Sequence, residues 1–129
     1  MRLLISFSES LTTMNKYIPE RFDLIFLDFE PQKGKEVGKY RPALVLSSKE
    51  YNKKTGLLIC CPISTSIRGH LTEVAVEGLD KPSVIACSII QTLSWQDRKA
   101  KFIKKVNREI FETVLQRFLP LIGADEFFE

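Results

Sequence analysis

The chain has 129 residues, of which 44% are hydrophobic and 27% charged. These proportions are typical of a single soluble globular domain and argue against a disordered or membrane-spanning chain. The formal net charge is +3, but residues 33–68 hold eight basic and two acidic side chains, which leaves the remainder net acidic. A basic third of a small domain favours an anionic partner such as nucleic acid or an acidic protein segment, although a lysine-rich solvated surface is the simpler alternative.

The first 13 residues precede Met14, which is a second candidate start. Their apolar run is too short for a secretory signal or a membrane span, so we expect no membrane association. A single domain is predicted over residues 14–129. The sequence leaves open whether residues 1–13 form a dispensable extension or an ordered arm.

Short apolar runs separated by turn residues predict a series of strands. They occupy residues 24–27, 43–46, 57–61, 73–76, 83–90 and 102–103. Such close spacing favours a bent antiparallel sheet or small barrel over a parallel sheet, which needs a helix between strands.

The period changes after Asn107, where apolar residues recur every three or four positions. This pattern predicts an amphipathic C-terminal helix that begins at an Asn107 N-cap and ends near Pro120 and Gly123. The predicted fold class is therefore mainly β with α (α+β), a small antiparallel β-barrel with a C-terminal helix.

Cys60, Cys61 and Cys87 lie in apolar runs and form no disulfide framework, which predicts reduced core thiols in a cytoplasmic protein. The only histidine, His70, has no cysteine at a metal-ligating interval. We therefore expect neither a structural zinc site nor a cofactor.

Several catalytic templates fit poorly. The segment 34–39 imitates a phosphate-binding loop, but its glycines are one residue too close and Tyr40 replaces the hydroxyl residue that would hold magnesium. No nucleophile elbow or cysteine–histidine motif is present, and one histidine excludes a two-imidazole nuclease within a subunit. Acid–base chemistry would draw on Asp28, Glu36, Arg41, Ser64, Thr65, His70 or a lysine.

Six sequence blocks follow one another between residues 17 and 123. They are Asp23-Leu24-Ile25, Phe29-x-Pro31, Gly34-x-Glu36, Arg41-Pro42-Ala43-x-Val45-Leu46-Ser47, Tyr51-Asn52-x-x-Thr55-Gly56 and Pro62-Ile63-Ser64-Thr65-Ser66. A strand that ends before Trp95 and a terminal helix closing on Gly123 complete the pattern. In this order and spacing the chain resembles the MazF/PemK family of toxin endoribonucleases, and MazF-like members in particular.

The resemblance implies a small SH3-like or CcdB-like β-barrel that works as a cytoplasmic homodimer. It also implies cleavage of single-stranded RNA at short sequences, without a metal, to give 2′,3′-cyclic phosphate and 5′-hydroxyl ends. The implied partners are mRNA and an acidic antitoxin of the MazE or PemI type.

Position by position, Arg41 matches the family's catalytic arginine, Ser64 stands where a threonine is usual, and Glu36 matches a loop glutamate. A guanidinium group and a hydroxyl can both stabilise negative charge on phosphate oxygens. Glu36 would either accept the 2′-proton or orient Arg41. The RNA contacts expected are Lys35, Lys39, Thr65, Ser66, Arg68 and Gln91. Two structural alternatives remain open: an Arg41–Glu36 salt bridge only, and a turn capped by Ser64 and Thr65.

The chain also departs from the family pattern. Ser88-Ile89 stands where many members have an acid followed by glutamine, and Ala86 occupies a position that is arginine in some. An acid–base pair from that strand is therefore absent. This leaves two other functions to consider on the same fold: a noncatalytic CcdB-like gyrase poison and an RNA-binding module without catalysis.

Overall fold

The computed structural model describes residues 16–29 and 39–128. Seven strands and two helices make up this part of the chain. In order they are β1 (Asp23–Asp28), β2 (Tyr40–Val45), α1 (Lys49–Thr55), β3 (Leu57–Ser64), β4 (Glu73–Val76), β5 (Ser83–Ala86), β6 (Gln91–Ser94), β7 (Lys101–Lys105) and α2 (Arg108–Phe118). None of the described helices is long and apolar enough to cross a membrane.

The strands form one strongly curled antiparallel sheet in the order β4-β5-β3-β2-β1-β7, with β6 paired to β3. Strand β3 causes the curl because it changes partners along its length. Its first part pairs with β2 and β6, whereas its last two residues, Ile63 and Ser64, pair with Ile85 and Val84 of β5. The predicted bent antiparallel sheet with a C-terminal helix is therefore confirmed, as a half-barrel.

Two hydrophobic clusters lie on opposite faces of this sheet, because successive side chains of a strand point to opposite sides. One cluster contains Leu44, Cys61 and Ile85 and is covered by Phe111 and Val114 of α2. The other contains Ile25, Leu27, Ala43, Val45, Leu58 and Cys60 and is closed by Trp95. A central strand buried on both faces reads as a continuous apolar run, which is why these segments were recognisable in the sequence.

The C-terminal helix begins as predicted: the Asn107 side chain accepts a hydrogen bond from the Ile110 N–H at 2.9 Å. The α-helix ends at Phe118, and Pro120 lies in a following 3-10 turn over Leu119–Ile122. Gly123 stops this turn with φ of 68°, a backbone conformation that glycine adopts without strain.

One local prediction was wrong, and one helix was missed. Residues 83–90 are not one strand, since β5 ends at Ala86 and β6 begins only at Gln91. Helix α1 was not expected. It is capped by the Ser48 hydroxyl, which accepts from the Tyr51 N–H at 3.2 Å, and it ends at Gly56 with φ of 72°.

Buried Asn52 joins α1 to the sheet. Its amide group donates to the Pro19 carbonyl at 2.7 Å, and its side-chain oxygen accepts from the Ser47 hydroxyl at 2.6 Å. The Ser47 oxygen in turn accepts from the Ile59 N–H at 2.8 Å. The Trp95 ring N–H donates to the Asn52 carbonyl at 2.9 Å, so a single polar centre ties four segments together.

Asp23 is a second buried polar centre, with 1% of its surface exposed. Its carboxylate accepts hydrogen bonds from the Tyr17 hydroxyl and the Glu20 N–H, and Lys105 Nζ lies 2.6 Å away. Burial acts to lower the pKa of Lys105, but its hydrogen bonds to Asp23 and Glu20 outweigh burial and raise it. Lys105 thus neutralises a carboxylate that has little access to water.

All three cysteines are buried and unpaired, which confirms the predicted core thiols. Burial raises the pKa of Cys60 to about 12 and that of Cys87 to about 11. Burial also raises the pKa of Cys61, and the neighbouring thiols raise it further.

Candidate active site

Strands β2 and β3 bring Arg41 and Ser64 to the same face of the sheet. Ala43 and Pro62 are directly paired across these two strands. Arg41 lies two residues before Ala43, and Ser64 lies two residues after Pro62. Because every second residue of a strand shares a face, both side chains lie on the face of the Ala43–Pro62 pair.

A groove of about 230 Å³ opens on this face beside Ser64. We call it the Ser64 groove. It is lined by Pro62, Ser64, Ser66, Arg68, His70, Thr72, Glu73, Val84, Ala86, Ser88 and Ile89. Arg41 is not among the lining residues. It lies at the start of the neighbouring strand, opposite Leu27, and is partly buried.

The Ser64 hydroxyl closes a turn at the end of β3. Its oxygen accepts a hydrogen bond from the Ser66 N–H at 3.0 Å. Ser64 thus caps a turn. A hydroxyl that accepts one hydrogen bond still has its own proton to donate, so the turn fixes the oxygen in place without preventing a donor role.

Glu73 holds the loop that follows. Its carboxylate accepts from the Gly69 N–H at 2.9 Å and from the Arg68 N–H at 3.1 Å. These contacts hold the loop against the first residue of β4. As a result, Arg68 and His70 line the same groove as Ser64.

The family model described as "PemK-like, MazF-like toxin of type II toxin-antitoxin system" matches residues 20–122. The chain belongs to this family. The Escherichia coli (strain K12) endoribonuclease toxin MazF is 34% identical over 110 residues, covering 85% of this chain and 99% of that protein.

Solved MazF structures share the fold. A crystal structure of MazF from Deinococcus radiodurans superposes with a TM-score of 0.78 at 33% identity, covering 84% of this chain and 99% of that one. A MazE–MazF structure from the same organism gives a TM-score of 0.75 at 33% identity and covers 84% and 98% of the two chains.

Within this PemK/MazF domain, the residues predicted to bind RNA do not all lie at one site. Ser66 and Arg68 join Ser64 in its groove. Thr65 does not, because it lines a different groove together with Ile63. Lys39 is exposed beside β2, and Gln91 pairs with Cys60 at the start of β6. Lys35 and Glu36 lie outside the described residues.

The two family departures both face the Ser64 groove, since Ala86 and Ser88 are among its lining residues. The acid–base pair that many family members carry on this strand is therefore absent from the lining of the Ser64 groove. His70 and Glu73 are the titratable side chains that line the groove in addition to Arg68. Their position in the groove was not predicted, because it depends on the path of the loop that Glu73 holds, and no sequence pattern indicates that path.

In the described ranges, no three His, Cys, Asp or Glu side chains cluster as a metal site would require.

Proposed function

We propose that this PemK/MazF-family chain is an endoribonuclease toxin that cuts single-stranded mRNA at short sequences, using Arg41 and Ser64. The observation that carries the proposal is the register of β2 and β3, which brings these two residues to one face beside an open groove. The E. coli relative that it matches over nearly its whole length is named an endoribonuclease toxin.

The proposed reaction is attack by a ribose 2′-oxygen on the adjacent phosphorus. The new O2′–P bond forms as the P–O5′ bond breaks, leaving a 2′,3′-cyclic phosphate and a 5′-hydroxyl. Negative charge builds on the nonbridging oxygens during the attack. The guanidinium of Arg41 supplies a permanent cation with donors in a planar fork, and the Ser64 hydroxyl adds a preorganised donor.

Two protons must move: one leaves the 2′-hydroxyl, and one reaches the departing 5′-oxygen. We assign the first role to Glu36, which precedes β2 in the sequence, in preference to the alternative that it only orients Arg41. In the groove, Glu73 already accepts two backbone N–H groups, whereas His70 is exposed and lines the groove. We therefore assign the second proton-transfer role to His70. Glu36→Gln and His70→Gln should each slow cleavage by about 10²- to 10⁴-fold, the range of a general acid or base.

We also propose a homodimer. Leu71 is 82% exposed and Ile122 is 63% exposed. Arg117 donates to the Leu71 carbonyl at 2.6 Å, which brings the loop carrying Leu71 beside the end of α2. Exposed apolar side chains gathered in this way are typical of a protein interface. Leu71→Asp should shift the protein from dimer to monomer in sedimentation.

An acidic antitoxin is the second proposed partner. The D. radiodurans neighbour has been crystallised as a MazE–MazF complex, and the basic residues around the Ser64 groove would attract an acidic segment as readily as RNA. A peptide of that kind should inhibit cleavage competitively and lose potency as salt is raised.

The test is cleavage of mixed single-stranded RNA in EDTA by purified protein. Wild type should give cyclic-phosphate ends, and Arg41→Ala and Arg41→Lys should both fail, because lysine lacks the planar fork. Lys53→Ala is the matched control, since it removes one positive charge from exposed α1, at the far end of β3. RNA bound by wild type but left intact would instead favour the noncatalytic binding module.

A further inference from the structure

The end of β3 separates two grooves. Ser64 lines the first, and the next residue, Thr65, lines a second groove together with Ile63. Ile63 and Ser64 are consecutive residues of β3, so their side chains point to opposite faces of the sheet. The second groove therefore begins one residue from the proposed catalytic hydroxyl, on the other face of the sheet.

This second groove, of about 470 Å³, is larger than the first and more apolar. Its apolar lining is Phe26, Pro42, Ile63, Leu79 and Ile103, and its polar lining is Thr65, Asp80, Lys81 and Ser83. Its volume falls within the about 300–1,000 Å³ of small-molecule sites, which combine apolar walls with a few polar groups.

One wall of the groove is an anchored loop. Lys104 Nζ donates to the Glu77 carbonyl at 2.6 Å and ties the loop to β7. Gly78 permits this contact, since its φ is 86° and a Cβ atom there would come within 2.2 Å of Lys104 Nζ. At the other end, the Ser83 hydroxyl donates to the Lys81 carbonyl at 2.8 Å. The loop is thus held in place before any ligand arrives, which lowers the cost of binding.

At the groove, Asp80 contributes a carboxylate that accepts hydrogen bonds, and Lys81 contributes an ammonium group that donates them. Both side chains are exposed, and neither forms an ion pair with another described residue. A carboxylate beside an ammonium group is a poor phosphate site, because the carboxylate repels the anion. It matches the edge of a nucleobase, where amino donors lie next to ring or carbonyl acceptors.

Another part of the groove lining is an aromatic ring. Phe26 stacks on Tyr40 with ring centroids 5.3 Å apart and an interplanar angle of 19°. The Tyr40 hydroxyl donates to the Lys99 carbonyl at 3.0 Å, so the ring behind Phe26 is fixed. Aromatic walls of this kind favour flat, unsaturated ligands such as nucleobases.

We propose that the second groove binds a nucleobase of the RNA strand adjacent to the cleaved phosphodiester, with Asp80 and Lys81 reading its edge. The strand passes over the Ser64–Thr65 rim, so that the reacting phosphate lies on one face and the neighbouring base on the other. This inference rests on the proposed ribonuclease function and adds a specificity site to it.

Photocrosslinking tests the groove without requiring cleavage. The probe is a short random-sequence RNA pool carrying thiouridine, with every ribose 2′-O-methylated so that no 2′-hydroxyl is available for attack. Crosslinked peptides should include the loop from Gly78 to Ser83, and Lys81→Ala should reduce that product at least about fivefold. Crosslinks confined to Ser64, Ser66 and Arg68, or none at all, would overturn the proposal.

Cleavage mapping provides the second measurement. Asp80→Asn should change the preference for one base beside the cut by about 5- to 100-fold, the range expected for a base-edge contact. Glu50→Gln and Lys53→Ala, which remove the same charges from exposed α1, should leave the preference unchanged. An unchanged preference in Asp80→Asn would contradict the groove alone. Loop crosslinks without any cutting of unmodified RNA would contradict the ribonuclease function and leave the groove intact.

Discussion

Replacing Ser64 with alanine removes two hydrogen bonds, one expected to affect the reaction rate and the other the stability of the fold. The first is the proposed hydrogen bond to the phosphate in the transition state, and losing such a donor costs about 3–4 kcal/mol, or about 10²–10³ in rate. The second is the hydrogen bond from the Ser66 N–H at 3.0 Å, which lies in an exposed turn and stabilises the fold by about 1 kcal/mol. Ser64→Ala should therefore abolish most activity while hardly changing stability.

Ser64→Thr is the matched variant, because threonine keeps the hydroxyl and suits the end of a strand. It should retain cleavage within about threefold of wild type if the hydroxyl is what matters. The assay is single-turnover cleavage of one labelled RNA, with thermal unfolding measured on the same samples. The reasoning fails if Ser64→Ala cuts within about tenfold of wild type, or if Ser64→Thr is as inactive as alanine while both remain folded.

Three further predictions concern the fold. Asn52→Leu should lower the free energy of unfolding by about 2–5 kcal/mol in urea titration, because it leaves buried partners unsatisfied; a loss below about 1 kcal/mol would contradict the hydrogen bonds described for it. Lys105→Met should cost about 1–3 kcal/mol at neutral pH, because Asp23 stays buried without its cation. The pKa of Lys105 is raised in the folded state, so its contribution is present below the unfolded pKa of about 10.5 and is lost at higher pH; a pH-independent loss would indicate packing instead. Finally, with pKa values of about 12 for Cys60 and about 11 for Cys87, the thiols should react with Ellman's reagent at pH 8 only after unfolding, and rapid reaction of native protein would show that they are accessible.

The architecture could be predicted from the sequence because its central strands are apolar on both faces and its last helix has a clear apolar stripe. Helix α1 could not be predicted in this way, because its seven residues are almost all polar and Asn52 is the one that is buried. The signals that mark it are its Ser48 N-cap and its Gly56 C-cap. The strand predicted over residues 83–90 failed because apolarity alone does not reveal where a chain leaves a sheet.

The parts of the site that depend on local sequence patterns could be predicted. Arg41 and Ser64 follow from the family blocks, and the structure brings them to one sheet face through strand pairing. The separation of Thr65 from Ser64 could not be predicted in this way, because Thr65 lies in the turn that follows β3. The position of His70 could not be predicted, because it depends on Glu73 accepting N–H groups across the loop.

Analysis of RNA ends in EDTA distinguishes metal-free transesterification that depends on Arg41 from other routes of RNA cleavage. Wild-type protein should cut single-stranded RNA to 2′,3′-cyclic phosphate and 5′-hydroxyl ends, and Arg41→Ala, folded to the same extent, should leave it intact. Ends carrying a 3′-hydroxyl and 5′-phosphate, cleavage that stops when EDTA is added, or full activity in Arg41→Ala would contradict the proposed reaction.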